Sequence, residues 1–483
     1  MGRVSYGRAI SRRAAEDPER VAVVFERATL TRGELERRSN RMARAFRGRG
    51  VEPGRLVTIG LPNGLRFIVA CVAAWKCGAI PNPISARLPA RERDDILALA
   101  DPALVIGFDD LADDATRLHA DFEPPDDLGD SPLPDVVSPS ERAMASGGST
   151  GRPKLIVLRN PAEYDADVPA NVLTPTGCVL VPGPLYHAAP FGSLTQGLLA
   201  GETVVLMGRF DASECLALIE RHRVEQVLFV PTMMHRIWRL PEAERMARDV
   251  SSLRLVLTGS APCPAWLMRS FIDWLGASVM HEVYGGSERI GGTFITGQEW
   301  LDHPGSVGRP IGTARIRIVD PESGREQPTG EVGEIYMLPG SGPGSTYRYI
   351  GAEAQATADG WESVGDMGRL DADGYLYLAD RRTDMILSGG RNIYPAHVEA
   401  AIDEHPAVAS SAVIGLPDDD LGQRVHAIVQ TTRAVLDAEL REHLTSRVIH
   451  YAIPRSFEFV DRPLRDEAGK LRRFALRAER VKG

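Results

Sequence analysis

Few of the residues that build specialised proteins are plentiful in this chain. Only five of its 483 residues are cysteine: Cys71, Cys77, Cys178, Cys215 and Cys263. They form no Cys-x-x-Cys pair and no metal-ligand cluster, which argues against a disulfide scaffold or zinc module and for reduced thiols in a cytoplasmic protein. Aromatic residues make up 6%, too few for a stacking platform for single-stranded nucleic acid. Excess positive charge is also lacking. A formal net charge of −9 argues against a nucleic-acid coat or a membrane-surface binder, so an anionic ligand would need a local basic patch. The most apolar stretch, Phe67–Ile80, contains Lys76 and is too short to span a bilayer, so no membrane span is expected and a buried helix is. The first twenty residues hold Arg3, Arg8, Arg12 and Arg13 but no apolar run, and no leader is expected.

What is present is ordinary in bulk. The chain is 43% hydrophobic and 25% charged, as globular proteins are, and its length calls for at least two cores. Short apolar runs alternate with helical patterns over residues 1–130. Val21–Phe25, Leu56–Leu61 and Leu104–Gly107 read as strands, and Phe67–Cys77 as a helix. Thr31–Arg47 reads as a helix with Thr31 and Glu34 forming a capping box. A second alternating block runs from Cys178 to about Ile295. Such alternation implies parallel sheets with helices on both faces. Asp121–Ser140, rich in Pro and Asp, reads as an exposed loop. From about 305 to 378 the period shifts toward two, as in a small antiparallel unit. Beyond Arg381 the pattern is that of a separate α+β domain of about 100 residues.

Several stretches carry candidate chemistry. Ser146–Lys154 reads Ser-Gly-Gly-Ser-Thr-Gly-Arg-Pro-Lys. Its glycines Gly147, Gly148 and Gly151 let the backbone approach a ligand closely. Ser149, Thr150, Arg152 and Lys154 add hydroxyls and cations, which together suit phosphate oxygens. A flexible polar loop is the plainer reading. Strand Leu253–Thr258 runs into Gly259-Ser260-Ala261-Pro262, and strand Ser278–Tyr284 into Gly285-Gly286-Ser287-Glu288. Ligands in open α/β sheets bind beyond such strand ends. Glu288 there could hold Mg²⁺, although a lone glutamate reads as solvated. Asp366 beside Gly365 suits ribose hydroxyls or an Asx turn equally. Arg381-Arg382-Thr383-Asp384 reads as a solvated charge run or a cationic hinge. Lys470, after Gly469, is either solvated or swung onto developing negative charge. His187 alone reads as a core histidine.

The order and spacing of these motifs resemble the adenylate-forming superfamily: acyl-CoA and aryl-CoA ligases, peptide-synthetase adenylation domains and luciferases. The resemblance runs from about residue 5 to 477 and includes similarity to bile-acid- and fatty-acid-type CoA ligases. It implies a large N-terminal α/β core over 1–381, with two stacked, mostly parallel, doubly wound sheets and a β-barrel-like unit. A small mobile α+β lid would span 382–483, hinged near Thr383, where the family usually has Asp or Lys.

By the same resemblance, ATP binds at Ser146–Lys154, with Gly259, Ser260, Ala261, Tyr284 and Gly285 around the adenine. Asp366 and Arg381 hold the ribose. Ser287 contacts the α-phosphate and Glu288 holds Mg²⁺. Lys470 bridges the α-phosphate and the substrate carboxylate. His187, Met233, Gly286 and Gly291 line the acyl pocket, and Gly389 and Gly390 a tunnel for pantetheine. The expected activity is AMP-forming ligation of a bulky apolar carboxylic acid to coenzyme A. The alternative is a stand-alone adenylating enzyme that loads an acyl or aryl acid onto carrier-protein phosphopantetheine. No nucleic-acid partner is expected, and a homodimer is a possible assembly.

Overall fold

The computed structural model describes residues 2–108, 110, 114–147, 153–165, 177–467 and 469–481. Its central sheet has nine strands. Six are parallel neighbours: Val21–Phe25, Thr203–Leu206, Cys178–Val181, Gln226–Phe229, Leu255–Thr258 and Met280–Gly285. Antiparallel strands Ala28–Thr31 at one edge and Gly292–Thr296 and Arg309–Pro310 at the other close the row. A second, parallel sheet holds Ile80–Pro83, Leu56–Gly60, Leu104–Gly107 and Arg117–Leu118.

Alternation along the central strands explains the layering. Val179 and Val181 point into one core and Leu180 into the other; Val204 and Leu206 oppose Val205 in the same way. Successive strand residues face opposite sides, so a sheet covered on both faces must be apolar at every position. The first core lies between the two sheets and holds helices Tyr6–Glu16, Arg32–Arg47 and Leu65–Lys76. That position accounts for the apolar circumference of the stretch Phe67–Ile80: nearly every residue of this helix is buried. Lys76, at its end, is buried against Glu36 at 2.6 Å and Asn40 at 2.7 Å, a pairing a buried charge requires. Thr31 and Glu34 form the expected capping box.

Two further sheets shape the rim of the central strand ends. Ala143–Gly147, Pro153–Leu158 and Tyr347–Ile350 form an antiparallel trio. The strand after the Gly-rich run begins at Pro153; proline is tolerated there because it sits at the strand's first residue. A six-stranded antiparallel sheet contains Arg315–Val319, Gly333–Leu338, Asp366–Leu370 and Leu376–Arg381. Asp121–Ser140 has no helix or strand, as expected, but its end is not exposed: Ser138 and Ser140 are buried. Their hydroxyls donate to the carbonyls of Ser140 and Arg142.

After Leu376–Arg381 comes a turn, and a new core starts at Ile386. Strands Val408–Asp418, Gly422–Thr431 and Ser456–Val460 form one sheet. Helices Pro395–Asp403, Asp437–Thr445 and Arg473–Val481 pack around it. Its two apolar clusters contain no residue before Ile386. No helix among the described residues is long and apolar enough to cross a membrane.

Candidate active site

The parallel strands of the central sheet all end at one edge, and that edge opens into a cleft of about 3080 Å³. The 382–483 segment covers it from the other side. Gly259 follows strand Leu255–Thr258, and Tyr284 lies on the neighbouring strand Met280–Gly285. A β-carbon on Gly259 would stand 2.5 Å from the Val283 carbonyl, so only glycine lets the strands approach this closely. Ser260 then turns back with φ of 67°, a conformation that costs a non-glycine residue about 1–3 kcal/mol. Gly259, Ser260 and Ala261 all line the cleft.

Tyr284 donates its hydroxyl to Asp366 Oδ2 at 2.8 Å, and Arg381 Nε lies 3.3 Å from Asp366 Oδ1. Asp366 and Arg381 are opposed partners on antiparallel strands, so local sheet register sets their pairing. Burial raises the Asp366 carboxyl's pKa, while the charge of Arg381 and the Tyr284 hydrogen bond lower it. The expected ribose and adenine residues are thus brought together.

Glu288 is buried, not solvated as an isolated glutamate would be. Its Oε1 accepts from the Tyr349 hydroxyl at 2.7 Å and lies 3.9 Å from Lys154 Nζ. Lys154 Nζ also sits 3.8 Å from the centre of the Tyr349 ring, a cation–π contact. Burial lowers the Lys154 pKa, and Glu288 pushes it back up. Ser146 stands opposite Lys154 in the sheet register, with Gly147 beside it. Gly148, Ser149, Thr150, Gly151 and Arg152 lie outside the described residues. Tyr349 is a site residue that sequence reasoning missed. The alternating Tyr347-Arg348-Tyr349 on a strand was the only available signal.

Ser287, Gly285, Gly286 and Gly291 also line the cleft, with Met233 on its far wall. A β-carbon on Gly286 would stand 2.8 Å from Glu288 Oε2, and one on Gly291 3.1 Å from Met337 Sδ. His187 Nε2 is buried without a hydrogen-bond partner among the described residues. Burial first, and then the charge of Lys470, push the His187 pKa down to about 3. Both causes favour the neutral imidazole.

Lys470 comes from the opposite wall. Its backbone N–H donates to Asp466 Oδ1 at 2.9 Å, and Gly469, with φ of 76°, makes the turn. A β-carbon on Gly469 would stand 2.4 Å from Thr232 Oγ1, so the turn presses against the large unit. Lys470 lines the cleft, whose walls lower its pKa by burial; Asp466 and Glu288 oppose that shift and Arg381 adds to it. Lys470 thus feels Glu288, Arg381 and His187 at once. Gly389 and Gly390 do not line the cleft in this arrangement. They form the turn between strands Ile386–Ser388 and Arg391–Ile393, and Gly389 N–H donates to the Leu421 carbonyl at 2.9 Å. Thr383 lies in the turn between the two units and lines the cleft.

Two family models match the chain: the AMP-binding enzyme over residues 10–349, and the AMP-binding enzyme C-terminal domain over residues 397–470. The chain belongs to the AMP-binding enzyme family, in its acyl- and aryl-CoA ligase branch. This AMP-binding enzyme is 36% identical to a feruloyl-CoA synthase of Amycolatopsis sp over 486 residues, covering 95% of this chain and 96% of the relative. It is 30% identical to the 2-succinylbenzoate–CoA ligase of Bacillus licheniformis, covering 97% and 98%. The o-succinylbenzoate CoA synthetase of Bacillus subtilis, solved with its acyl-adenylate intermediate, aligns with a TM-score of 0.80 at 27% identity, covering 99% and 98%. The same synthetase solved with ATP and a magnesium ion aligns with a TM-score of 0.80 at 26% identity, covering 98% and 100%.

Proposed function

We propose that this AMP-binding enzyme is an AMP-forming carboxylic acid:CoA ligase acting on a bulky, apolar acid. One observation carries the reading: Lys470, Asp366, Arg381, His187 and Glu288 all line one cleft, with Lys470 in electrostatic reach of Arg381, Glu288 and His187. Attack of a carboxylate on the α-phosphorus of ATP, with loss of pyrophosphate, brings two anions together. The barrier is largely their repulsion, so positioned cations lower it. Lys470 would lie between the carboxylate and the α-phosphate, while Asp366 and Arg381 hold the ribose and Ser287 the α-phosphate. Tyr284 and Gly259–Ala261 enclose the adenine.

Among the described residues no cluster of three or more ligating side chains exists. The one buried carboxylate of Glu288, oriented by Tyr349, fits Mg²⁺, which takes one or two carboxylates and completes its shell with phosphate and water oxygens. Bound there, the ion would neutralise phosphate charge. Neutral His187 works as an uncharged wall between acyl pocket and thiol, not as an acid. Met233, an adaptable apolar side chain on the cleft wall, suits an apolar or aryl acid, and the feruloyl-CoA synthase relative supports the aryl choice.

In the second step the unit beyond Thr383 turns, Lys470 leaves, and Gly389 and Gly390 reach the cleft to admit a pantetheine thiol. The acceptor is coenzyme A; a carrier-protein phosphopantetheine would use the same approach. The free cysteines and the ATP requirement fit a cytoplasmic enzyme. The test is a screen of carboxylic acids for acid-dependent pyrophosphate release, followed by thioester formation with free CoA or with phosphopantetheinylated carrier protein. Release with an aryl acid and transfer to free CoA supports the proposal. No acid-dependent release, or transfer to carrier protein alone, overturns it.

A further inference from the structure

Helix Pro231–Trp238 lies on the large-unit wall of the cleft, and its spacing puts three polar residues on one face. Thr232, His235 and Arg239 are separated by three and four residues, so they stack along a single stripe. That stripe meets the small unit beyond Thr383 at two levels. At the first, Thr232 faces Gly469, the neighbour of Lys470. About two turns on, Arg239 caps the helix and reaches the end of helix Pro395–Asp403. One terminal nitrogen, Nη1, donates to the Pro406 carbonyl at 2.7 Å. The other, Nη2, donates to the carbonyls of His405 at 3.0 Å and Asp403 at 3.5 Å. A helix leaves its last carbonyls without intrahelical donors and its C-terminus partly negative, which favours a cation at that place.

Within its own unit Arg239 is aimed by His235. Its Nε donates to His235 Nε2 at 3.1 Å, so that nitrogen is an acceptor and the ring is neutral. Burial, and then the charge of Arg239, hold the His235 pKa down to about 4, in keeping with that role. The ring is buried and packs edge-on against Trp266, with centroids 5.7 Å apart. His235, Trp266 and Arg239 all line the cleft. Arg239 is half-buried, whereas the arginines of the ion pairs Arg87–Glu467 and Arg472–Glu92, which also join the units, are exposed. The small unit's apolar clusters hold no residue of the large one, so polar contacts of this kind set its orientation.

We infer that Arg239, aimed by His235, is a positioning residue that clasps the end of helix Pro395–Asp403 and so holds the small unit where Lys470 enters the cleft. The inference rests on the proposed two-step reaction and assigns to this pair the arrangement in which the acid is adenylated. Because the clasp is made to backbone carbonyls, opening it breaks hydrogen bonds and separates no ion pair. The unit is then free to turn for the thiol step.

The test measures the two half-reactions of the full-length enzyme separately. Arg239→Ala should lower kcat for acid-dependent pyrophosphate exchange by about tenfold, the size expected when a charge-assisted contact is lost. KM for the acid, and CoA transfer from supplied acyl adenylate, should stay within about twofold. Arg239→Lys keeps a cation within reach of the same carbonyls, and exchange should fall by no more than about threefold. His235→Phe keeps a ring against Trp266 but removes the acceptor. It should lower exchange severalfold alone and add little to Arg239→Ala, because the two act as one unit. Arg87→Ala, which removes an exposed ion pair, should leave exchange within about twofold.

Unchanged exchange in Arg239→Ala overturns the inference. So does equal loss in both half-reactions, which a loosened fold would give, and so does a loss confined to KM for the acid, which would make Arg239 an acid-pocket residue. A lysine variant no better than alanine also overturns it, and additive losses for His235→Phe and Arg239→Ala remove the aiming role of His235. Failure of the ligase reading itself would appear differently, as wild-type enzyme without acid-dependent exchange.

Discussion

Two lysines face each other across the cleft, and they are held in opposite ways. Lys154 belongs to strand Pro153–Leu158, paired on both sides, with its amine against the Tyr349 ring and near Glu288. Lys470 sits on a turn held from within its own unit by Asp466, which accepts from its backbone N–H, and by Arg465, which donates to the Gly469 carbonyl. Arg465 in turn pairs with buried Glu399 at 3.5 Å. Across the cleft the small unit is held by little. Arg87 pairs with Glu467, Arg472 with Glu92 at 3.4 Å, and Arg239 donates to the Pro406 and His405 carbonyls. The two ion pairs are largely exposed, and such pairs contribute about 0–1 kcal/mol each. One cation is therefore built into the site, and in the proposed function the other is brought to it by the small unit.

The strongest way to break this contrast is to remove the delivered charge. Lys470→Ala should lower acid-dependent pyrophosphate exchange by about 10²–10³, the usual cost of one preorganised transition-state donor. CoA transfer from supplied acyl adenylate should be spared; equal loss of both steps contradicts delivery. A bulky residue at Gly389 should do the reverse. Gly389→Trp is expected to cut thioester formation by about tenfold or more while exchange continues, as steric blocks of a reacting geometry do. Its φ of 56° adds strain of about 1 kcal/mol for any side chain, so Gly389→Ala serves as the control.

Closure itself is sharpened by Gly469→Ala. The added methyl would meet Thr232, and exchange should fall by several-fold, with recovery in the double variant Gly469→Ala, Thr232→Gly. Failure of that rescue would mean the strained turn alone is responsible.

The smallest effect concerns the fixed wall. Burial pushes the Glu282 carboxyl up to about 8 from its ordinary 4.5. A raised carboxyl pKa stabilises the fold below 4.5, and that contribution is lost as pH rises through 8. The Tm of wild type should fall relative to Glu282→Gln across that range; parallel curves would show that Glu282 ionises normally.

Local pattern revealed much of this. The strand–helix alternation, the Thr31 capping box, the buried helix after Gly64 and the Gly-rich strand ends are all set by nearby residues. The five helices Tyr6–Glu16, Ala90–Ala100, Ala188–Ala200, Pro231–Trp238 and Ala265–Leu275 were not expected individually. Several of them begin at or beside proline, or carry apolar residues on nearly every face, which blurs the period. Glu288 looks solvated in isolation, because its burial comes from Tyr349, sixty-one residues later.

Sequence alone determined which elements form, where glycine is needed, and which charges are available, because propensity, capping and close approach act over a few residues. Tertiary structure decided which of those charges meet. Asp366 found Tyr284 and Lys154 found Tyr349 through sheet order and strand register. Those pairings join residues far apart in the chain, and only the packed layers bring them within a few ångströms.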